Sequence, residues 1–496
     1  MAKSVDAADL KSASRRECGF KSRRPHPSRR HWIVLALALT SAACGTSSPS
    51  ETLSVSVIGG TPRLSGGDAP SAVLRRATAQ GLVRLDEAGV VTPGLASRWI
   101  VLDDGRTVIF RLAGARWADG RPMVAADVRS QLLRQLSSPH DDPAVAALAS
   151  SIDQVNAVTP AILEVRLKGE RPDLLALLAQ PAFALTQYGG SGPWQAQSTA
   201  RGWRTLARHD DQMSAGDGDT ASAKVRLRGD PASVALARFT AGDVDVVLGG
   251  GWSDWPLART AASGSLLVDP ADGLFGLRVA RRTGLLETAE GRSALAGALN
   301  GADLATRLDL GDEWARSSLV PLIGSTADDP LARTAQAQAF VTRWRAEHDG
   351  VPTVTIAPPT GPGGRLLFAW LQRQWARIGV VVERAPDGSA QLTVLDRVAP
   401  SSDPASTLEL IGCGAGTPCD DASVSALAEL SRQSTLTGWR TARAAAYRAL
   451  ASDLPVLPLG RPLRWSAVRA GVPGAVANPR AIHPLTRLAP ASSRAP

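Results

Sequence analysis

Hydrophobic positions along this chain switch between a repeat of two and a repeat of three to four, and the switches alternate strand with helix. Leu53 to Ile58 alternates, and Gly59-Gly60-Thr61-Pro62 turns the chain out of it, which predicts a first strand. Thr107 to Leu112 alternates again with β-branched and aromatic residues. Asp103-Asp104-Gly105 just before it is a turn between two apolar runs, so a hairpin is expected. Asp119-Gly120 is a second turn, and after Pro122 the residues Val124, Val128, Leu132, Leu133 and Leu136 share one helical face. Helices are also expected over Ala144 to Ser151, Ala232 to Thr240 and Trp439 to Leu450. Gly242-Asp243 turns into a buried strand over Val244 to Val247. Val354 to Ile356 reads as a strand, followed by a helix from Arg365 to Ile378 and a strand over Val380 to Val382. In that helix Leu367, Trp370, Leu371, Gln374, Trp375 and Ile378 recur every three or four residues, and Gly379 suits its C-cap. A β-α-β run of this kind predicts an α/β protein.

The amino-terminal end follows a different rule. Residues 1–30 carry nine Lys or Arg against three acids, and the apolar run from Trp32 to Leu39 is too short to span a bilayer, which needs roughly 20 residues. Small residues Ser41-Ala42-Ala43 then lead into Cys44. This predicts a lipoprotein signal peptide over 1–43, lipidation of Cys44 and a polar tether over 44–52; the rival is ordinary cleavage near Ala43 with an incidental cysteine. Removal of 1–43 takes the net charge from +9 to +3, since 46 basic and 43 acidic residues remain. The basic balance that would suggest a nucleic-acid partner is therefore mostly leader. Beyond Cys44, Cys413 and Cys419 are expected to pair in an oxidising compartment, stabilising the fold by about 2.4 kcal/mol in the chain-entropy model. A metal site there would lack a second cysteine or histidine pair.

Catalytic signatures are missing: there is no Gly-x-Ser-x-Gly, His-Glu-x-x-His or Walker A lysine. His140-Asp141-Asp142-Pro143 and His209-Asp210-Asp211 read as solvated turns rather than metal ligands. Gly249-Gly250-Gly251-Trp252-Ser253-Asp254-Trp255 follows a strand, and loops at the carboxyl ends of strands in α/β folds favour ligands. Trp252 and Trp255 could enclose a solute there, or pack into the protein interior. About 450 residues remain after the leader, roughly three domain lengths.

Three linked blocks carry a resemblance. They are Pro93-Gly94-Leu95-Ala96-Ser97-Arg98-Trp99, Asp104-Gly105-Arg106-Thr107-Val108-Ile109-Phe110-Arg111-Leu112, and Trp117-Ala118-Asp119-Gly120-Arg121-Pro122-Met123-Val124-Ala125-Ala126-Asp127-Val128. Weaker ones follow at Tyr188 to Trp194, Gly242 to Asp245, Arg292 to Asp303 (with Asn300 where Asp is usual), Leu454 to Leu459 and Val468 to Gly474. Together they resemble the extracytoplasmic solute-binding proteins of ABC importers for peptides, opines and nickel, family 5. The resemblance implies an α/β, two-lobe periplasmic binding protein type II fold with an extra subdomain on lobe I. Lobe I would take 53–72, 186–270 and 460–496, the extra subdomain 73–185, and lobe II 271–459. It also implies a ligand contact near Val394-Leu395-Asp396-Arg397 or Asp403-Pro404, where the peptide-binding branch pairs an Asp with a peptide amino terminus; either Asp396 or Asp403 could be that residue, with Arg397 beside it.

The function implied is that of a lipid-anchored, periplasmic, non-enzymatic binding protein. It would be a monomer without cofactor or metal that closes on a small peptide-like solute and delivers it to ABC permease subunits. An envelope scaffold or sensor reusing the fold is the second reading, motivated by only two tyrosines, Tyr188 and Tyr447; an enzyme is the third.

Overall fold

The computed structural model describes residues 52–137, 143–208, 224–315, 329–413, 416–433 and 435–490. The leader, Cys44 and nearly all of its tether, His140-Asp141-Asp142 and His209-Asp210-Asp211 lie outside the described residues.

Three sheets and a two-stranded ribbon organise the chain. The largest sheet contains β1 (Thr52–Ile58), β8 (Trp194–Ala200), β9 (Trp203–Arg208), β10 (Lys224–Asp230), β11 (Val246–Gly251), β12 (Leu266–Asp269) and β18 (Arg464–Val468), in the order β12-β18-β11-β1-β10-β9-β8. β1 runs parallel to both β10 and β11, with Val55 opposite Leu227 on one side and Val246 on the other. The strand keeps its alternation: Leu53, Val55 and Val57 are fully buried, and Ser56 on the other face donates to Asp230 at 2.8 Å.

The second sheet has the order β15-β14-β16-β13-β17, from β13 (Gly273–Val279), β14 (Thr353–Ala357), β15 (Val381–Arg384), β16 (Leu392–Val398) and β17 (Val456–Gly460). The chain passes between these two sheets twice, from β12 to β13 and from β17 to β18. At the first crossing Gly273 has φ +145°, and a Cβ there would stand 2.2 Å from the Arg397 carbonyl oxygen; only glycine lets the crossing strand lie against β16.

The remaining sheet is antiparallel, in the order β4-β5-β7-β6, from β4 (Ala96–Leu102), β5 (Thr107–Leu112), β6 (Ile152–Thr159) and β7 (Ile162–Leu167). β2 (Val83–Leu85) and β3 (Val91–Pro93) form the ribbon. The expected hairpin is β4–β5, turned by Asp103, Asp104 and Gly105, all with positive φ. Phe110, Val128, Leu132, Leu163 and Trp117 close a core of their own.

The long periodic segments fold as their spacing predicts. The helix Pro362–Ala376 buries Leu367, Trp370, Leu371, Gln374 and Trp375. Asn300 caps the helix Gly301–Leu308 by accepting from the Asp303 amide at 3.2 Å, so the replacement of Asp at that position keeps the cap. Cys413 and Cys419 form the expected disulfide, with Cα atoms 5.4 Å apart.

Candidate functional site

The carboxyl end of β11 differs from the sequence expectation. Gly249 to Gly251, read as a loop, continue the strand, with a register irregularity between Val247 and Gly250 against β18. Gly250 leaves the space that the Trp465 indole occupies: a Cβ would meet the ring at 2.2 Å. The Trp465 indole N–H then donates to the Gly251 carbonyl at 2.9 Å. Trp252 is 1% exposed and packs against Phe275 of β13, ring centroids 5.0 Å apart. Trp255 is 5% exposed and its indole N–H donates to the Leu308 carbonyl at 2.7 Å. Both tryptophans therefore take the interior option, and neither presents a face to a solute. The amino-terminal turn of the helix Pro362–Ala376 seals them in, because a Cβ at Gly363 would stand 2.3 Å from the Trp252 carbonyl oxygen. Asp254 between the indoles is half-buried, and burial alone raises its carboxyl pKa.

Asp396 and Asp403 are also occupied. Asp396, on β16 opposite Phe275, accepts from Arg464 of β18 through both carboxylate oxygens at 2.9 Å, tying the second sheet to the first beside the second crossing. Arg464 also donates to the Asp396 carbonyl at 3.2 Å. Asp403 caps the helix Pro404–Glu409, accepting from the Ala405 amide at 2.9 Å. Burial raises its carboxyl pKa against that hydrogen bond. Asp396 thus has both oxygens on Arg464, whereas Asp403 has one oxygen in the cap. Arg397 is half-buried on β16.

A polar contact that the sequence did not reveal lies next to Asp403. Arg171, just after β7, donates to Asp173 at 2.9 Å and to Glu409 at 2.6 Å. Ser406 donates to the other oxygen of Asp173 at 2.7 Å, and its hydroxyl lies 2.6 Å from that of Ser401. All three charged side chains are nearly buried. Burial pushes the Glu409 carboxyl up to about 7 against the pull of Arg171, and the neighbouring Asp173 and Asp403 charges add to the rise. Burial opposes the Arg171 charge, but Glu409 and Asp173 outweigh it and raise its pKa. One guanidinium thus serves two carboxylates, and the pair joins the four-stranded sheet's subdomain to helices that pack on the five-stranded sheet.

A cavity of about 200 Å³ opens along the first large sheet, at the seam where the end of β16 reaches it. Its walls include Gly249 and Gly250 of β11, Arg464 and Trp465 of β18, and Val398 at the end of β16. The carboxyl-terminal segment closes it. There Arg480, its side chain 3% exposed, pairs with Asp272 at 2.9 Å and donates to the Ala399 carbonyl at 2.6 Å and the Ser401 carbonyl at 2.9 Å. His483 lies 3.2 Å from Asp269. A second cavity of about 130 Å³ adjoins the first, sharing Arg76, Ile482 and Pro484 with it.

Sequence comparison decides the family. Residues 90–405 match the model for "Bacterial extracellular solute-binding proteins, family 5 Middle". The chain belongs to the family 5 bacterial extracellular solute-binding proteins. Its fold is theirs. The murein tripeptide binding protein MppA of Escherichia coli superposes with a TM-score of 0.72 at 19% identity, covering 89% of this chain and 98% of that one. OppA of Haemophilus influenzae, in complex with the peptide RPPGFSPFR, gives 0.73 at 16% identity over 90% and 100%. The two-lobe periplasmic binding protein fold expected from the sequence is thereby established. At the sequence level, the "Probable deoxycholate-binding periplasmic protein YgiS" of Escherichia coli K12 is 34% identical over 121 residues, 21% of this chain. The match spans 23% of that protein, less than a quarter of its length. No helix among the described residues of this solute-binding protein is long and apolar enough to cross a membrane.

Most polar residues at the seam of this family 5 protein escaped sequence reasoning. Arg464 and Arg480 pair with Asp396 and Asp272 across 68 and 208 positions, and Arg171 with Glu409 across 238. No local signal marks such pairs.

Proposed function

We propose that this is an extracytoplasmic solute-binding lipoprotein of an ABC importer, which closes two lobes on a small peptide-like solute and hands it to the permease. Lobe I comprises 53–72, 186–270 and 460–496, lobe II 271–459, and 73–185 the extra subdomain. The solute enters at the seam cavity. The observation that carries this reading is the double crossing between β12–β13 and β17–β18, with a cavity beside it lined mostly by the first sheet and the carboxyl-terminal segment and reached by Val398 at the end of β16. Two sheets joined by two strands can rotate about them, and a solute that contacts both biases the closed state. The lipid on Cys44 keeps the protein at the envelope near its permease. The pairing of both Asp396 oxygens with Arg464 argues against that residue as the anchor for a free amino terminus.

The envelope scaffold remains the competing reading, and the packed indoles favour it, because they fill the place where the expected binding loop would have opened. Thermal unfolding separates the two. A ligand that binds only the folded state at 100 times its Kd adds about 2.7 kcal/mol and raises the midpoint. Screening peptide pools, opines, haem and nickel is expected to give at least one shift that saturates with concentration. A flat response to all of them, with recovery of a non-transporter protein in a pull-down, favours the scaffold.

A further inference from the structure

Arg76 lies on the helix Ala69–Thr78 and lines both cavities at the seam. It is half-buried, and among the described residues it makes no hydrogen bond or ion pair. Its neighbour Arg75 is satisfied, donating to the carbonyls of Leu64 and Gly66. Each carboxylate in the cavity walls has a described partner, and none of those partners is Arg76. Asp86 accepts from the Ala88 and Val90 amides at 2.9 Å each, Glu87 pairs with Arg487 at 3.1 Å, and Asp269 is held by the Asn478 amide at 3.0 Å and His483 at 3.2 Å. The other arginines at the larger cavity, Arg464 and Arg480, have Asp396 and Asp272. Burial, and then the Arg75 charge, pull the Arg76 guanidinium down to about 10, the mark of a cation without a counter-ion.

An unpaired guanidinium costs free energy unless something else pairs with it. The groups around it are mostly apolar: Val73, Leu248, Trp465, Ile482 and Leu485 line the larger cavity. At about 200 Å³ it has room for roughly seven water-sized groups of ~30 Å³ each. A planar guanidinium fork matches a carboxylate in two-point contact. We infer that the seam cavity takes a small amphipathic carboxylate, with its acid group on Arg76 and an apolar body of about four carbons against the apolar wall. The inference rests on the seam cavity being the solute site and names the class of solute it admits.

The test titrates the mature chain with pentanoate and 3-methylbutanoate, and with their neutral primary amides, by calorimetry and thermal unfolding. The carboxylates are expected to bind and to raise the midpoint, and the amides to bind at least tenfold more weakly. Arg76→Gln is expected to lose the preference for the charged form. It should leave the unliganded midpoint unchanged or raise it, since a half-buried cation without a counter-ion is removed. Equal binding of acids and amides overturns the inference, as does a carboxylate shift that survives Arg76→Gln, or a fall in the unliganded midpoint of that variant. A shift with peptide pools but none with either acid overturns the carboxylate assignment and leaves the solute-binding reading standing. Silence toward acids, amides and the whole peptide, opine, haem and nickel set overturns both.

Discussion

Arg171→Met is expected to lower the unfolding free energy by about 3 kcal/mol and to loosen the extra subdomain from the helices of the second lobe. Arg171 is the only cation within hydrogen-bond distance of Asp173 and Glu409 among the contacts described, and all three side chains are nearly buried. Removing one partner of a buried pair leaves the other charge without compensation, which costs far more than the pair was worth. The network continues through Ser406 and Ser401 to the capped helix at Asp403, so the loss should spread across that contact. Urea unfolding reads the free energy, and small-angle X-ray scattering reads the larger radius of a loosened molecule.

The pH dependence has a definite sign. The Glu409 carboxyl is raised in the folded state from an ordinary value near 4.5 to about 7, so the folded state binds more protons between those two values. The stability that protonated Glu409 contributes is fully present below about pH 4.5 and is lost as pH rises through about 7. The facing groups are Arg171, Asp173 and Asp403. Glu409→Gln is expected to abolish this part of the pH dependence, and an unchanged slope between pH 5 and 8 would contradict the assignment.

Trp252→Ala is expected to cost about 3 to 5 kcal/mol. The indole touches Phe275, which in turn lies 5.6 Å from Trp314, and the glycine-rich start of the helix Pro362–Ala376 lies against the Trp252 backbone. A cavity left here has little freedom to collapse, because Phe275 belongs to the central strand pairing of the second sheet. Chemical denaturation should show a lower midpoint with an unchanged slope. A tryptophan that served a solute instead would leave the unliganded midpoint near that of the parent protein.

Regular elements were legible in the sequence wherever one local period governs them. β5 spans Thr107–Leu112 as its alternation predicts, and the helix Pro362–Ala376 starts at its proline, three residues before the expected Arg365. The glycines of β11 misled because three in a row look like a loop. The strand tolerates them since Trp465 supplies the missing side-chain volume from β18. Asp403 shows the limit of reading chemistry from residue type. Asp followed by Pro is the ordinary start of a helix, and capping is what it does. Arg76 was invisible for the opposite reason: next to Arg75 in the last turn of a helix it looks like a favourable charge on the dipole, and only the packing of Ile482 and Pro484 from the far end of the chain places it at a cavity.

Native mass spectrometry of the protein purified from its own envelope tests the central claim most directly. A solute-binding lipoprotein should appear as a lipid-modified chain beginning at Cys44, carrying a discrete non-covalent small-molecule adduct that Arg76→Gln weakens. A bare polypeptide mass under conditions that preserve such adducts, with the chain isolated instead on a protein partner unrelated to transport, would contradict it.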